Sequence, residues 1–198
     1  MTRIVLANQG NSALLYERGQ GLARTNDKLS KITVRLNWKL GVDLDIHAFY
    51  KLAKDKQNGH IYFGNKGKDS NLPYIFLDKD AGIGNVAGDN QEIITISTLA
   101  HVDCILIAAN IFRFFGSFAK GESFSKYDGK VTIIPNNGNE IVVPLTSQTT
   151  GKWCIIAKID NLDQNFPMVI NINDVTDNEP NIDDYILKDV LSLTYEDS

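Results

Sequence analysis

Cysteine is scarce. Only Cys104 and Cys154 occur in 198 residues, each inside an apolar run. Cysteine packs as a small hydrophobe, so the expectation is two buried reduced thiols, with a structural disulfide as the alternative that no secretory signal supports. Long hydrophobic runs are also missing, since "CILIAANIF" is about half the length that a membrane span needs. The opening "MTRIVLANQGNSALL" lacks a signal peptide's unbroken apolar core and cleavage site, which sets the cytoplasm as the expected compartment. Lys and Arg form no block and the net charge is −4, which argues against a nucleic-acid footprint. Histidine is limited to His47, His60 and His101, with no Cys/His cluster for zinc and no nucleophile elbow. "GIGNVAG" does not run on into Gly-Lys-Ser/Thr and lies between strands, which argues against a phosphate-cradling loop there. No internal repeat and no low-complexity segment interrupts the chain.

What is present is ordinary globular material, 43% apolar and 22% charged, enough for one sizeable domain with an appendage. Strand signals dominate. In "KITVRLNW" Ile32, Val34, Leu36 and Trp38 alternate with polar residues, the period of a half-buried strand. "VDLDIHAFY" keeps that parity, with Asp43, Asp45, His47 and Phe49 on one side, and the intervening "KLG" reads as a short bend without a change of sheet. Further strands are expected at 61–63, 93–97, 130–134, 140–145 and 152–159, and the doubly apolar run 102–115 reads as a central strand between two layers. "FRFFGSF" at 112–118 then reads as sheet core running into a turn, not as a base-stacking surface. The N-terminal segment opens with a strand pair before turning polar. Short strands separated by "YDGK", "NNGN" and "TTGK" predict an all-β fold, an antiparallel β-sandwich of two sheets. The end of the chain breaks the pattern. After Pro180, Asn181 can cap a helix near 181–194, whose stripe of Ile182, Tyr185, Ile186, Val190 and Leu193 packs on the sandwich or docks a partner. The expected domains are therefore 1–160 for the sandwich and 161–198 for an extension carrying that helix.

Oxygen ligands gather in two places. Asp43 and Asp45, two apart on a strand, share one face, where like charges raise each other's pKa unless a cation or donors compensate. "FLDKDAGIGNVAGDNQEI" adds Asp78, Asp80, Asn85 and Asp89 among glycines that let carbonyls turn inward. Its spacing is not that of an EF-hand, because Gly82 and Ile83 stand at the fifth and sixth positions counted from Asp78. Asp, Asn and Gly are also the commonest turn residues, so composition leaves a metal site and a solvated loop both open. His47 stands beside Asp45 as a site neighbour or as a satisfied sheet histidine.

Together, "KITVRLNWKLGVDLDIHAFY" and "FLDKDAGIGNVAGDNQEIITI" resemble the paired signatures of the tellurium-resistance TerD-domain proteins, and "VLANQGNSALL" resembles that family's short N-terminal strand pair. The likeness spans roughly residues 3–160, including "KVTIIPNNGNEIVVPL" and "KWCIIAKIDN", and leans to the TerA-like branch. It implies a β-sandwich that binds Ca²⁺ at one end, without catalytic activity. It further implies a role in tellurite and general stress response, and work in cytoplasmic, membrane-associated assemblies with other stress-response proteins of the same system. Asp43 and Asp45 match the family's Asp-Leu-Asp; Asp78, Asp80 and Asp89 fall in its acidic loop, with Asn85 and Asn90 as neutral ligands. The family's adjacent aspartates are broken here by Ala81, which predicts weaker calcium capture. Two other readings use the same fold: a metal-free protein-interaction module, and a metal-dependent enzyme acting on a small anionic ligand.

Overall fold

The computed structural model describes residues 3–6, 13–14, 20–23, 31–39, 42–79, 89–112, 122–136, 140–164 and 167–186. The first strands are β1 (Arg3–Leu6), β2 (Ala13–Leu14), β3 (Gln20–Ala23), β4 (Ile32–Trp38) and β5 (Asp43–Leu52). Then come β6 (Asn58–Ile61), β7 (Ile75–Lys79), β8 (Asn90–Ile96) and β9 (Val102–Phe112). After the two-residue β10 (Glu122–Ser123) and a 3-10 turn at Phe124–Tyr127 follow β11 (Lys130–Pro135), β12 (Ile141–Pro144) and β13 (Thr150–Gly151). β14 (Trp153–Asp160) and β15 (Met168–Thr176) complete the strands, and a short helix, α1, occupies 182–186.

Two sheets face each other. One runs β1-β3-β15-β14-β9-β5-β6 and the other β2-β12-β11-β4-β8-β7, with β10 and β13 as a separate ribbon. Pairing is antiparallel except at β1–β3 and β2–β12. The expected sandwich is therefore present. Its interior is built by alternation: Ile32, Val34, Leu36 and Trp38 from β4 meet Leu44, Ile46 and Ala48 from β5 and Ile105, Ile107 and Ala109 from β9, all buried. Burial of such side chains is the main driving force for closing the two layers, at about 1.5–3 kcal/mol each.

β9 is central, flanked by β14 and β5, as its doubly apolar sequence predicts. Its second face is covered as well. Cys104, Leu106 and Ala108 pack with Phe49, Ile155 and, from α1, Ile182 and Tyr185. The helical stripe thus lies on the sandwich over 182–186, and the part of the predicted helix beyond it lies outside the described residues. Asn181 caps α1, its Oδ1 accepting from the Asp183 amide at 3.1 Å. Asp183 is held by Lys51 at 2.5 Å and Asn58 at 2.8 Å, and Tyr185 donates to Asp174 at 3.0 Å. Both cysteines are free and buried, and burial pushes the Cys104 thiol up to about 12, which keeps it an unreactive packing group.

Several expectations are corrected. β4 and β5 belong to different sheets, so the chain between them crosses the sandwich. Unbroken parity cannot report this, because both strands turn their even-numbered residues to the same interior. β1 and β2 are not a pair but lie at the edges of opposite sheets. The sandwich also does not stop at residue 160, because β15 lies between β14 and β3. Polar residues within "MVININDVT" blur its alternation, yet Val169 and Ile170 are buried. The stretch from Phe76 is not loop throughout; β7 occupies its start, with a bulge that turns Asp78 out to solvent.

Gly67 forms a bridge to Phe76 on β7 with φ of 66°, and an added Cβ would lie 2.2 Å from the Ile75 carbonyl oxygen. Gly67→Ala should therefore destabilise the protein by more than about 1 kcal/mol in a urea melt, the scale of a non-glycine residue forced into this region. An unchanged midpoint would show that β7 does not need the close approach.

Candidate functional site

β5 carries two of the predicted ligands. Its even-numbered residues enter the interior, so Asp43 and Asp45 face outward from the larger sheet, opposite Phe112 and Asn110 of β9. They are nevertheless buried, at 8% and 6% exposure. Two carboxylates so placed need compensating partners, and both make polar contacts.

The start of β8 is brought to the same end of the sandwich. Trp38 pairs with Asn90, and its indole Nε1 donates to the Val42 carbonyl at 2.7 Å, tying the entry of β5 to the entry of β8. Glu92, 1% exposed, accepts the Ile46 amide at 2.6 Å. That amide lies on the stretch of β5 beyond its pairing with β6, which begins at Ala48, so Glu92 closes an open edge across the two sheets. Asp89 and Asp43 therefore leave from neighbouring strand ends. Their side chains do not share a face, because Asp43 points away from the sheet that carries β8. Asp89 and Asp78 are exposed, while Asp80 and Asn85 lie outside the described residues. Among the described residues, no three His, Cys, Asp or Glu side chains form a metal-holding group.

Next to the two aspartates is a layer that the sequence reading did not assemble. His47 Nδ1 lies 2.8 Å from His60 Nε2, and His60 Nδ1 lies 3.6 Å from Glu179. The rings form a stack: Phe49 on His60 at 3.9 Å, His60 on Tyr62 at 4.4 Å, and Trp153 tilted on His47 at 4.7 Å. Burial, then the neighbouring His60, pull the His47 pKa down to about 3, against the side chain of Asn110; burial alone takes His60 to about 4. Both rings are neutral at pH 7, so one donates to the other. His47 is thus a packed sheet histidine beside Asp45. The β5–β6 pairing brings His60 opposite Phe49 and so against His47, 13 positions away in the chain, a proximity that no local pattern reveals. The layer surfaces at Phe63 and Phe112, an edge-to-face pair with centroids 6.1 Å apart that is 44% and 37% exposed.

No protein-family model matches the chain, and no curated protein matches it. Two solved structures are similar in shape. One is SAV2460, a protein of unknown function, at TM-score 0.56 and 15% identity over 78% of this chain and 94% of that one. The other is SCO6318 from Streptomyces coelicolor A3(2), a homologue of the telluride resistance protein TerD, at TM-score 0.53 and 14% identity over 76% of this chain and 92% of that one. Among the described residues no helix is long and apolar enough to cross a membrane. At such identities the likeness speaks to architecture, and in architecture this chain has the TerD-like β-sandwich fold.

Proposed function

We propose that the protein is a calcium-binding, non-enzymatic member of the tellurium-resistance stress family, acting in the cytoplasm by assembling with other proteins of that response. Asp43 and Asp45 on β5, Asp78 on β7, and Asp80, Asn85 and Asp89 in the segment that joins β7 to β8 are the proposed oxygen ligands, in two sets because Asp43 and Asp89 do not share a face. The observation that carries the reading is the pair of buried carboxylates Asp43 and Asp45, side by side on β5 at the sandwich end where the Asp89 loop joins β8. The donor chemistry fits: carboxylates and an amide are hard oxygen ligands suited to Ca²⁺, with no thiol among them. The TerD-like fold supports the family and leaves the ion to experiment.

Calcium titration followed by thermal melting tests it. An ion bound only by the folded state stabilises by about 2.7 kcal/mol at a hundred times its Kd, so the melting temperature should climb with Ca²⁺. The double variant Asp43→Ala with Asp80→Ala should lose that climb. A flat melting temperature up to millimolar Ca²⁺, or an equal climb in the double variant, overturns the reading. The exposed Phe63–Phe112 pair favours a second reading, a metal-free interaction module. In that case partner capture is indifferent to chelator and is lost in Phe63→Ser with Phe112→Ser.

A further inference from the structure

The outer face of the smaller sheet holds a groove of about 490 Å³, bounded by Arg35 and Asn37 of β4, Lys130 of β11, Gln91 of β8, and Lys39, Asp89 and Asp128 at its end. β4 turns alternate residues outward, so Arg35 and Asn37 share its floor, and the register sets Lys130 and Gln91 on either side of Asn37. The charges are unequal: Arg35, Lys39 and Lys130 against Asp89 and Asp128. Lys39 is engaged by Asp128 at 2.9 Å. Arg35 is different. Its cross-strand neighbours are Thr132 and Ile93, neither of them an acid, and its Nε is buried without a hydrogen-bond acceptor.

An arginine set into a sheet face with an unanswered N–H is an uncommon arrangement, because buried donors are normally satisfied. The fork of a guanidinium matches an oxyanion's paired oxygens, and a lysine on the adjoining strand adds a second charge-assisted donor. Asn37, beside Arg35 on β4 and opposite Lys130, and Gln91, on its other side, add amide donors to the groove. A groove of this size lies in the range of small-molecule sites, about 300–1,000 Å³, and is larger than a bare inorganic anion requires.

We infer that this groove is a binding site for a small molecule bearing an oxyanion, a phosphate or carboxylate held by Arg35 and Lys130 with Asn37 and Gln91 as neutral donors. The groove borders the calcium reading at Asp89, but none of its anion-holding residues is a proposed calcium ligand, so the inference does not depend on that reading.

The test is an amide NMR titration of the whole protein in chelator, with inorganic phosphate and with acetate, against chloride at equal ionic strength. Saturable shifts are expected at residues 35–39, 89–91 and 128–130. Arg35→Gln should abolish them and Lys130→Gln should weaken binding at least threefold. A response to phosphate alone assigns a phosphoryl group, and a response to acetate as well assigns a carboxylate. Absence of a saturable shift with either anion overturns the proposal, as does an Arg35→Gln titration that matches wild type. Should Arg35→Gln not fold, Lys130→Gln, altered at an exposed position, decides: unchanged affinity there overturns the proposal too. Because calcium is removed throughout, failure of the calcium reading cannot imitate either result.

Discussion

Glu92→Ala should lower the unfolding free energy by about 3 kcal/mol, the cost of orphaning a buried amide and leaving a void where a carboxylate stood. The side chain is 1% exposed and accepts the Ile46 N–H at 2.6 Å, on a stretch of β5 that β6 does not reach. Among the described residues no strand pairs with β5 on that side at Ile46, and the contact is buried. Glu92→Gln keeps an oxygen acceptor of similar shape, so it should cost less than the alanine change, about 1–2 kcal/mol. Urea melts at pH 7 measure both. Two variants within about 0.5 kcal/mol of wild type would show that the two sheets hold together without this strut.

The second large effect is a loss of stability in mild acid. His47 is held near 3 and His60 near 4, chiefly by burial, whereas an unfolded histidine titrates near 6.5. Between those values the unfolded chain binds protons that the folded chain refuses, so stability rises with pH across the window. It is complete above about 6.5 and drains away as pH falls towards 4 and 3. From pH 6.5 to 5, before most carboxylates titrate, His47 alone contributes a loss of up to about 2 kcal/mol. Protonating His60 turns its contact with Glu179 into an ion pair, which offsets part of its own penalty. His47→Gln removes one titrating ring, so its stability should fall less than wild type over this interval. Equal slopes for the two proteins would place the acid sensitivity elsewhere.

Much of the sandwich was legible in the sequence because alternation records which residues meet an apolar interior. Ile32 to Trp38 and Ile46 to Ala48 were assigned correctly on that signal, and "CILIAANIF" announced a strand covered on both faces. Alternation is silent about which sheet a strand joins, and so the crossing between β4 and β5 was missed. It fails again in β15, where asparagines stand at buried positions: Asn171 is fully buried and Asn173 donates to the Pro144 carbonyl at 2.9 Å. The candidate site was half legible. Two carboxylates two apart on a strand must share a face, and Asp43 and Asp45 do. Their relation to Asp89 depends on Trp38 and Glu92, whose contacts span separate strands. Arg35 and Lys130 become neighbours only through the β4–β11 register, which no local pattern encodes.

The contacts of α1 bear on how the chain reaches its folded form during synthesis. Lys51 and Asp183 are 132 residues apart, and β15 must take its place between β14 and β3 before the larger sheet is continuous. Closing such distant partners is entropically slow, which makes this a topology of high contact order. On the ribosome, Phe49, Leu106 and Ile155 wait without their cover until Ile182 and Tyr185 emerge. For most of translation the nascent chain therefore presents an apolar sheet face and an incomplete edge, the features by which chaperones recognise unfinished proteins.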